Sequence, residues 1–254
     1  MQLNNKKITS NDLSILVHKD GFSFCTHDQH HFLGFEVAPP TTDSIKSFAD
    51  YHQLTQKNVQ LIYMDEPSVS VPQKLFDENH KEDYLKTAID KNEKRIAQKN
   101  ELTQLDQVVV YSIDTAIGKS STDIYPSATT VHLSTALLRP LSAFSFGKAR
   151  KIMFIHLRKG RFDLFLFQGG QLLLQNTFSH SNADEFMYFL FYVCEQFYLK
   201  PEQFDLFFLG KYTQYDDYYN GTKEFHPTIE HLAAVFFNED TSHPAPFMQS
   251  FLLE

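Results

Sequence analysis

Two glycines, Gly21 and Gly160, stand 139 residues apart, and the chain runs through the same order of elements around each. In the first copy the apolar run Leu13–Val17 enters Lys19-Asp20-Gly21 and returns as Phe22–Thr26. Asp-Gly between apolar runs signals a tight hairpin, because glycine accepts the positive φ of a primed turn. His27–His30 leads into a third strand, His31–Val37, which Pro39-Pro40 ends because proline has no N–H for a sheet ladder. Thr42 or Asp43 then caps a helix reaching about Leu54, with Ile45, Phe48, Ala49 and His52 near one face. The strand Val59–Met64 follows.

The second copy keeps this plan. Ile152–Leu157 is a strand, Arg158-Lys159-Gly160 a tight turn, and Phe162–Phe167 the returning strand. Gln168-Gly169-Gly170 turns into Leu172–Phe178, and Ser181 or Asn182 caps a helix running to about Phe197. Asp184 and Glu185 fall in its first turn, where the helix dipole favours carboxylates. Phe204–Leu209 is the next strand, closed by Gly210. The helix caps near Asp43 and Asn182 are also 139 residues apart, so the pattern predicts a duplicated β-β-β-α-β unit. The halves are assigned to residues 1–147 and 148–254, with the boundary close to Gly147–Arg150.

Between the two copies, Val71–Phe76 leads into helical segments around Asp83–Asn92. Val108–Ile113 is a continuous apolar run of the kind found in a central strand buried on both faces. Ser134–Phe146 has a helical pattern interrupted by Pro140.

Composition narrows the class. The 254 residues are 42% hydrophobic, with 25 Phe and 12 Tyr, as in a folded globule. Cys25 and Cys194 form no CxxC pair, which argues against a disulfide framework and for a reducing compartment. Met1–Ser10 is polar, without a signal-peptide core. The most apolar stretches, Phe162–Phe167 and Phe186–Val193, fall well short of the ~20 residues of a membrane span. A cytoplasmic location is therefore expected. A net charge of −8 disfavours nucleic acid, and the basic run Lys148-Ala149-Arg150-Lys151 reads as a solvated loop before a strand.

Two tandem β-β-β-α-β units resemble the ribonuclease-H-like fold as doubled in the actin-like ATPases. The residues also resemble an uncharacterised family of Bacteroidetes proteins with that fold. The likeness is carried by Leu13-Ser14-Ile15, Asp20-Gly21-Phe22-Ser23-Phe24, Ser70-Val71-Pro72 with Leu75-Phe76, and Leu172-Leu173-Leu174 with Asn176-Thr177-Phe178. It continues in Asp184-Glu185-Phe186, Tyr188-Phe189 and Leu209-Gly210. It covers roughly residues 10 to 210 and implies an α/β fold of two halves with mixed sheets, but no assigned activity.

The resemblance also implies a nucleotide cleft between the halves. Asp20, Gly21 and Ser23 would form the first phosphate loop, Lys159 and Gly160 the second, and Gly210 the adenosine segment. In actin-like ATPases, turn N–H groups hold phosphate and acidic residues position hydrated Mg²⁺. This sequence departs from that pattern. Asp20 directly precedes Gly21, while Val17 and His18 occupy the strand end. His156 stands where the second strand should end in Asp, and Lys211 follows the single glycine Gly210. ATP with Mg²⁺ is thus poorly supported as a cofactor, and the basic second loop suits an anion without metal.

Other motifs are weaker. Gly118-Lys119-Ser120 imitates the end of a Walker A loop, but Ile113 stands where the loop needs its first glycine. His27, Asp28, His30 and His31 suit Zn²⁺ or Ni²⁺ by type, yet neighbouring strand residues point to opposite faces. His226 and His231 are five apart with Pro227 between, and the first strand lacks the acid a nuclease needs. Cys25 and Cys194 fall in apolar patterns and read as packed thiols. Tyr212, Tyr215, Tyr218 and Tyr219 suit either a partner surface or one packed side of a short helix. The sequence therefore predicts no catalytic residues and no metal ligands. It points to a non-catalytic binding or adaptor module with a protein partner or self-association. An ATPase or phosphotransferase is the competing reading.

Overall fold

The computed structural model describes residues 12–18, 21–26, 30–34, 41–54, 58–88 and 94–232. The chain divides into two compact units at Arg139/Pro140. The division falls inside a helix, α3 (Leu133–Ser145), which continues through Pro140 although proline cannot donate to the carbonyl four residues earlier.

In the unit before Pro140, β1 (Asp12–Val17), β2 (Gly21–Cys25), β3 (His30–Gly34), β4 (Asn58–Tyr63) and β8 (Thr129–His132) form a sheet ordered β3-β2-β1-β4-β8. The hairpin pairs are antiparallel, whereas β1–β4 and β4–β8 are parallel. Helix α1 (Thr42–Tyr51) buries Ile45 and Ala49, and Phe48 packs 5.3 Å from the Phe24 ring. Its cap is Thr41, one residue before the expected Thr42 or Asp43. Thr41 is the residue with extended backbone, and its Oγ1 accepts from the Ser44 N–H at 3.2 Å. The two helix caps are therefore not at the spacing of the hairpin glycines.

After β4 the unit inserts a three-stranded antiparallel sheet, β5-β7-β6, from β5 (Ser68–Pro72), β6 (Arg95–Leu102) and β7 (Gln107–Asp114). β7 is central, as its apolar run predicts, and Val108 and Val110 pack with Val71 and Leu85. The expected helical segment starts earlier, as a 3-10 stretch over Glu78–Leu85, and residues 89–92 lie outside the described set. Helix α2 (Thr115–Ile124) returns the chain to β8.

The unit from Pro140 has the same topology. β9 (Lys151–Arg158), β10 (Arg161–Gln168), β11 (Gln171–Ser179), β12 (Phe204–Phe208) and β13 (Ile229–His231) form a sheet ordered β11-β10-β9-β12-β13. Again the hairpins are antiparallel and β9–β12 and β12–β13 are parallel. Each unit is thus a three-stranded meander, a helix, a strand, a second helix and a fifth strand. The second unit's helices are α4 (Ala183–Gln196) and α5 (Asp216–Phe225).

Period-two alternation buries both faces of β9. Met153, Ile155 and Leu157 join Phe186, Leu190 and Val193 of α4 in one core. On the other face, Phe154 lies 5.7 Å from Phe144, 5.7 Å from Phe207 and 5.9 Å from Phe167. Asn182 caps α4 by accepting from the Glu185 N–H at 2.9 Å, and Glu185 in turn accepts from the Ser181 N–H at 2.8 Å.

Candidate functional site

The β9–β10 hairpin sets the register of the second loop. Its turn is Lys159-Gly160 alone; Arg158 belongs to β9 and is buried, contrary to its expected place in the turn. With Arg158 opposite Arg161, His156 faces Asp163, and Asp163 in turn faces Thr177 of β11. These cross-strand neighbours form a polar ladder. Arg158 donates Nε to Asp163 Oδ2 and Nη2 to Oδ1, both at 2.9 Å. His156 Nδ1 lies 3.0 Å from Oδ2, and the Thr177 hydroxyl donates to Oδ1 at 2.6 Å.

Burial alone would raise the pKa of Asp163. The Arg158 guanidinium and the His156 contact outweigh it and hold the carboxyl far below the usual range. A carboxylate accepts about four hydrogen bonds, and these contacts engage both oxygens. Asp163 is thus an ionised, internally neutralised group. Sequence reasoning missed it, although a lone acid in the run Arg161-Phe162-Asp163-Leu164-Phe165 was a signal that a cross-strand partner was needed.

Lys159 and Gly160 border a cavity of about 310 Å³ with His180, Ser181, Gln214, Tyr215 and Tyr218. Gly160 sits at φ +69° and accepts from the His180 N–H at 3.1 Å, joining the turn to the end of β11. His180 is buried, with Nδ1 3.2 Å from the Tyr218 hydroxyl. Burial lowers its pKa, opposed by the Arg161 backbone and Glu185, so the ring is neutral at pH 7. Lys159 is the only cation among the lining residues.

Gly210 follows β12 at φ +85° and is not among these lining residues, and its carbonyl accepts from His231 Nδ1 at 3.1 Å. In the other unit, Gly21 opens β2 where a Cβ would come within 2.5 Å of the Leu33 carbonyl, so the close pairing with β3 requires glycine. The Ser23 hydroxyl is buried 3.0 Å from His18 Nε2. Asp20 lies outside the described residues.

Gly118-Lys119-Ser120 falls within α2 and forms no loop. Asp114 caps that helix, its Oδ1 accepting from the N–H groups of Ala116 and Ile117 at 2.9 and 3.1 Å. The N–H groups that would hold a phosphate thus face a carboxylate. His27 and Asp28 lie outside the described residues, and the His31 ring centroid lies 3.9 Å from that of His52, the rings tilted by 32°. Among the described residues, no three His, Cys, Asp or Glu side chains gather as a metal site. His226 Nε2 is bonded to the Phe204 carbonyl at 3.1 Å.

Both cysteines are buried, and burial pushes the Cys194 thiol up to about 12, which leaves it inert as a nucleophile. Tyr212, Tyr215 and Tyr219 are interior, with Tyr219 raised by burial to about 12. Packing therefore accounts for most of the tyrosine run. In the basic run, Lys148 lies 3.5 Å from the Phe144 ring and Arg150 pairs with Asp205 at 2.9 Å. No helix among the described residues is long and apolar enough to cross a membrane.

Two copies of one mixed-sheet module, each opening on a β-hairpin, define the class: this is an actin-like ATPase fold. The chain belongs to the family described as Protein of unknown function (DUF3822), whose model matches residues 1–229. It is similar to a Bacteroides thetaiotaomicron VPI-5482 protein with actin-like ATPase fold and unknown function. The identity is 25% and the TM-score 0.76, over 92% of this chain and 95% of that one. The fold is also that of a chain in the PilM–PilN type IV pilus biogenesis complex, at 11% identity and TM-score 0.55, over 87% and 88% of the two chains. No curated protein matches the sequence.

Proposed function

We propose that this chain is a non-catalytic actin-like protein, a cytoplasmic binding or adaptor module whose nucleotide site has degenerated. One observation carries the reading. At the end of β9 the nearby carboxylate, Asp163, is held by Arg158, His156 and Thr177 instead of facing a ligand. Mg²⁺ needs oxygen donors, usually one or two carboxylates with waters, and the buried imidazole of His156 and guanidinium of Arg158 do not fit it. The PilM–PilN complex supports the same direction, since a chain of this fold stands there in a complex named for two proteins.

Thermal melting with ATP or ADP and Mg²⁺ tests the proposal. A ligand at a hundred times its Kd stabilises the native state by about 2.7 kcal/mol, which a melting curve registers as several degrees. The expected result is no shift at millimolar nucleotide. A clear rise would refute the reading.

One observation favours a second reading, an ATP-binding ATPase or phosphotransferase: Lys159 and Gly160 border an open cavity. Turnover of ATP that disappears in Asp20→Ala would establish it.

A further inference from the structure

Helix α4 buries Phe186, Leu190, Val193 and Cys194 and turns a second aromatic stripe outward. Tyr188 is 64% exposed, Phe191 43% and Tyr192 47%, at the three- and four-residue spacing that keeps side chains on one helix face. Tyr198, just past the helix end, is 90% exposed. It is held at φ +51°, a backbone region that costs a non-glycine residue ~1–2 kcal/mol.

The three side chains on the helix face leave on the order of 300 Å² of aromatic surface in water, within the range of the largest patch a typical monomer shows. Some of the rings are braced. Phe191 meets Phe225 of α5 edge-on at 4.7 Å, and Tyr188 meets Phe189 edge-on at 5.3 Å, with Phe189 stacked 4.9 Å from Phe178. Fixed aromatic side chains lose little entropy on binding and make effective anchors.

Charge selects the occupant. Asp184, Glu185 and Glu195 are the only charged residues of α4, and α5 packed beside it adds Asp216, Asp217 and Glu224 against Lys223 alone. Lys200 lies beyond the end of α4. A second copy meeting this face symmetrically would set like charges against each other.

We infer that the outer face of α4 and α5 binds a basic amphipathic helix of a partner protein. Its apolar side would lie on Tyr188, Phe191 and Tyr192, and its Lys or Arg residues would meet the flanking carboxylates. The inference rests on the binding-protein reading and gives that reading a surface and a partner chemistry.

The test is fluorescence anisotropy of an 18-residue Leu/Lys amphipathic peptide titrated with the full chain at physiological salt. A scrambled peptide of the same composition, lacking an apolar face, is the control. Tyr188→Ser/Tyr192→Ser and Asp184→Lys/Glu195→Lys change exposed residues, and circular dichroism checks that both variants fold. The inference expects at least tenfold weaker binding for the scrambled peptide and for each variant. Equal affinity in the variants, equal affinity of the scrambled peptide, or no binding at all would overturn it. A concentration-dependent dimer in sedimentation velocity that the tyrosine variant abolishes would overturn it in favour of self-association. Nucleotide melting reads a different ligand, so a positive result there would sink the earlier proposal and leave this measurement interpretable.

Discussion

Arg158 and Asp163 meet through two parallel hydrogen bonds, Nε to Oδ2 and Nη2 to Oδ1, each 2.9 Å long. Both side chains are nearly inaccessible, at 6% and 5% exposure, so their charges are neutralised inside the protein. The pair lies beside the Lys159-Gly160 turn that joins β9 to β10. The Asp163 carboxylate is turned inward, onto Arg158, His156 and Thr177. The same geometry ties the two strands of the hairpin together and engages both Asp163 oxygens.

Acid should expose this arrangement. Because the folded pKa of Asp163 lies below the unfolded value of about 3.9, its contribution is present above that value. It is lost as pH falls from there toward the folded pKa. Urea midpoints followed from pH 7 down to pH 3 should drop below pH 4 more steeply in the native chain than in Asp163→Asn. Parallel pH profiles would contradict the assignment.

The Walker-like segment makes a separate prediction. Asp114 caps α2 through two N–H groups, so Asp114→Ala should cost about 1 kcal/mol and Asp114→Asn much less. Lys119 is exposed on the helix, and Lys119→Ala should stay within about 0.5 kcal/mol. Chemical denaturation of the three variants would separate a capped helix from a phosphate loop, in which Lys119 would be the sensitive residue.

What the sequence made legible was what local chemistry decides. Lys-Gly between apolar runs set the β9–β10 hairpin, and Asn182 with Glu185 marked the start of α4; Gly21, expected at a positive φ, is instead the first residue of β2. Asp163 was within reach of the same reasoning, because a turn at Lys159-Gly160 already places residue 163 opposite His156. Treating Arg158 as a turn residue hid it. The inserted sheet was harder to read, since the pairing of β7 with β5 and β6 depends on contacts remote in the chain. β13 spans only Ile229–His231, too short for any alternation to show, and its parallel partner is given by β12. The GKS segment lacked the first glycine of a phosphate loop, and it lies within α2, whose cap Asp114 is also the last residue of β7.

Arg158 and Lys159 are adjacent basic residues with opposite expected roles. Lys159 is exposed at the cavity mouth, so Lys159→Met should change stability by no more than about 0.5 kcal/mol. Arg158→Met leaves the Asp163 charge buried with its main partner gone, and removing one member of such a pair costs about 3–5 kcal/mol. Asp163→Leu alone should also destabilise, because it takes the bidentate carboxylate away from the buried guanidinium. In Arg158→Met/Asp163→Leu both charges leave together, and apolar replacement of a buried pair is often close to neutral. The double variant should therefore recover most of what either single change loses, and urea denaturation of all four proteins gives the coupling directly. If Arg158→Met cost no more than Lys159→Met, the pair would not be holding the hairpin. The guanidinium would then be available to a ligand, and the degenerate-site reading would have to give way to an anion site at this loop.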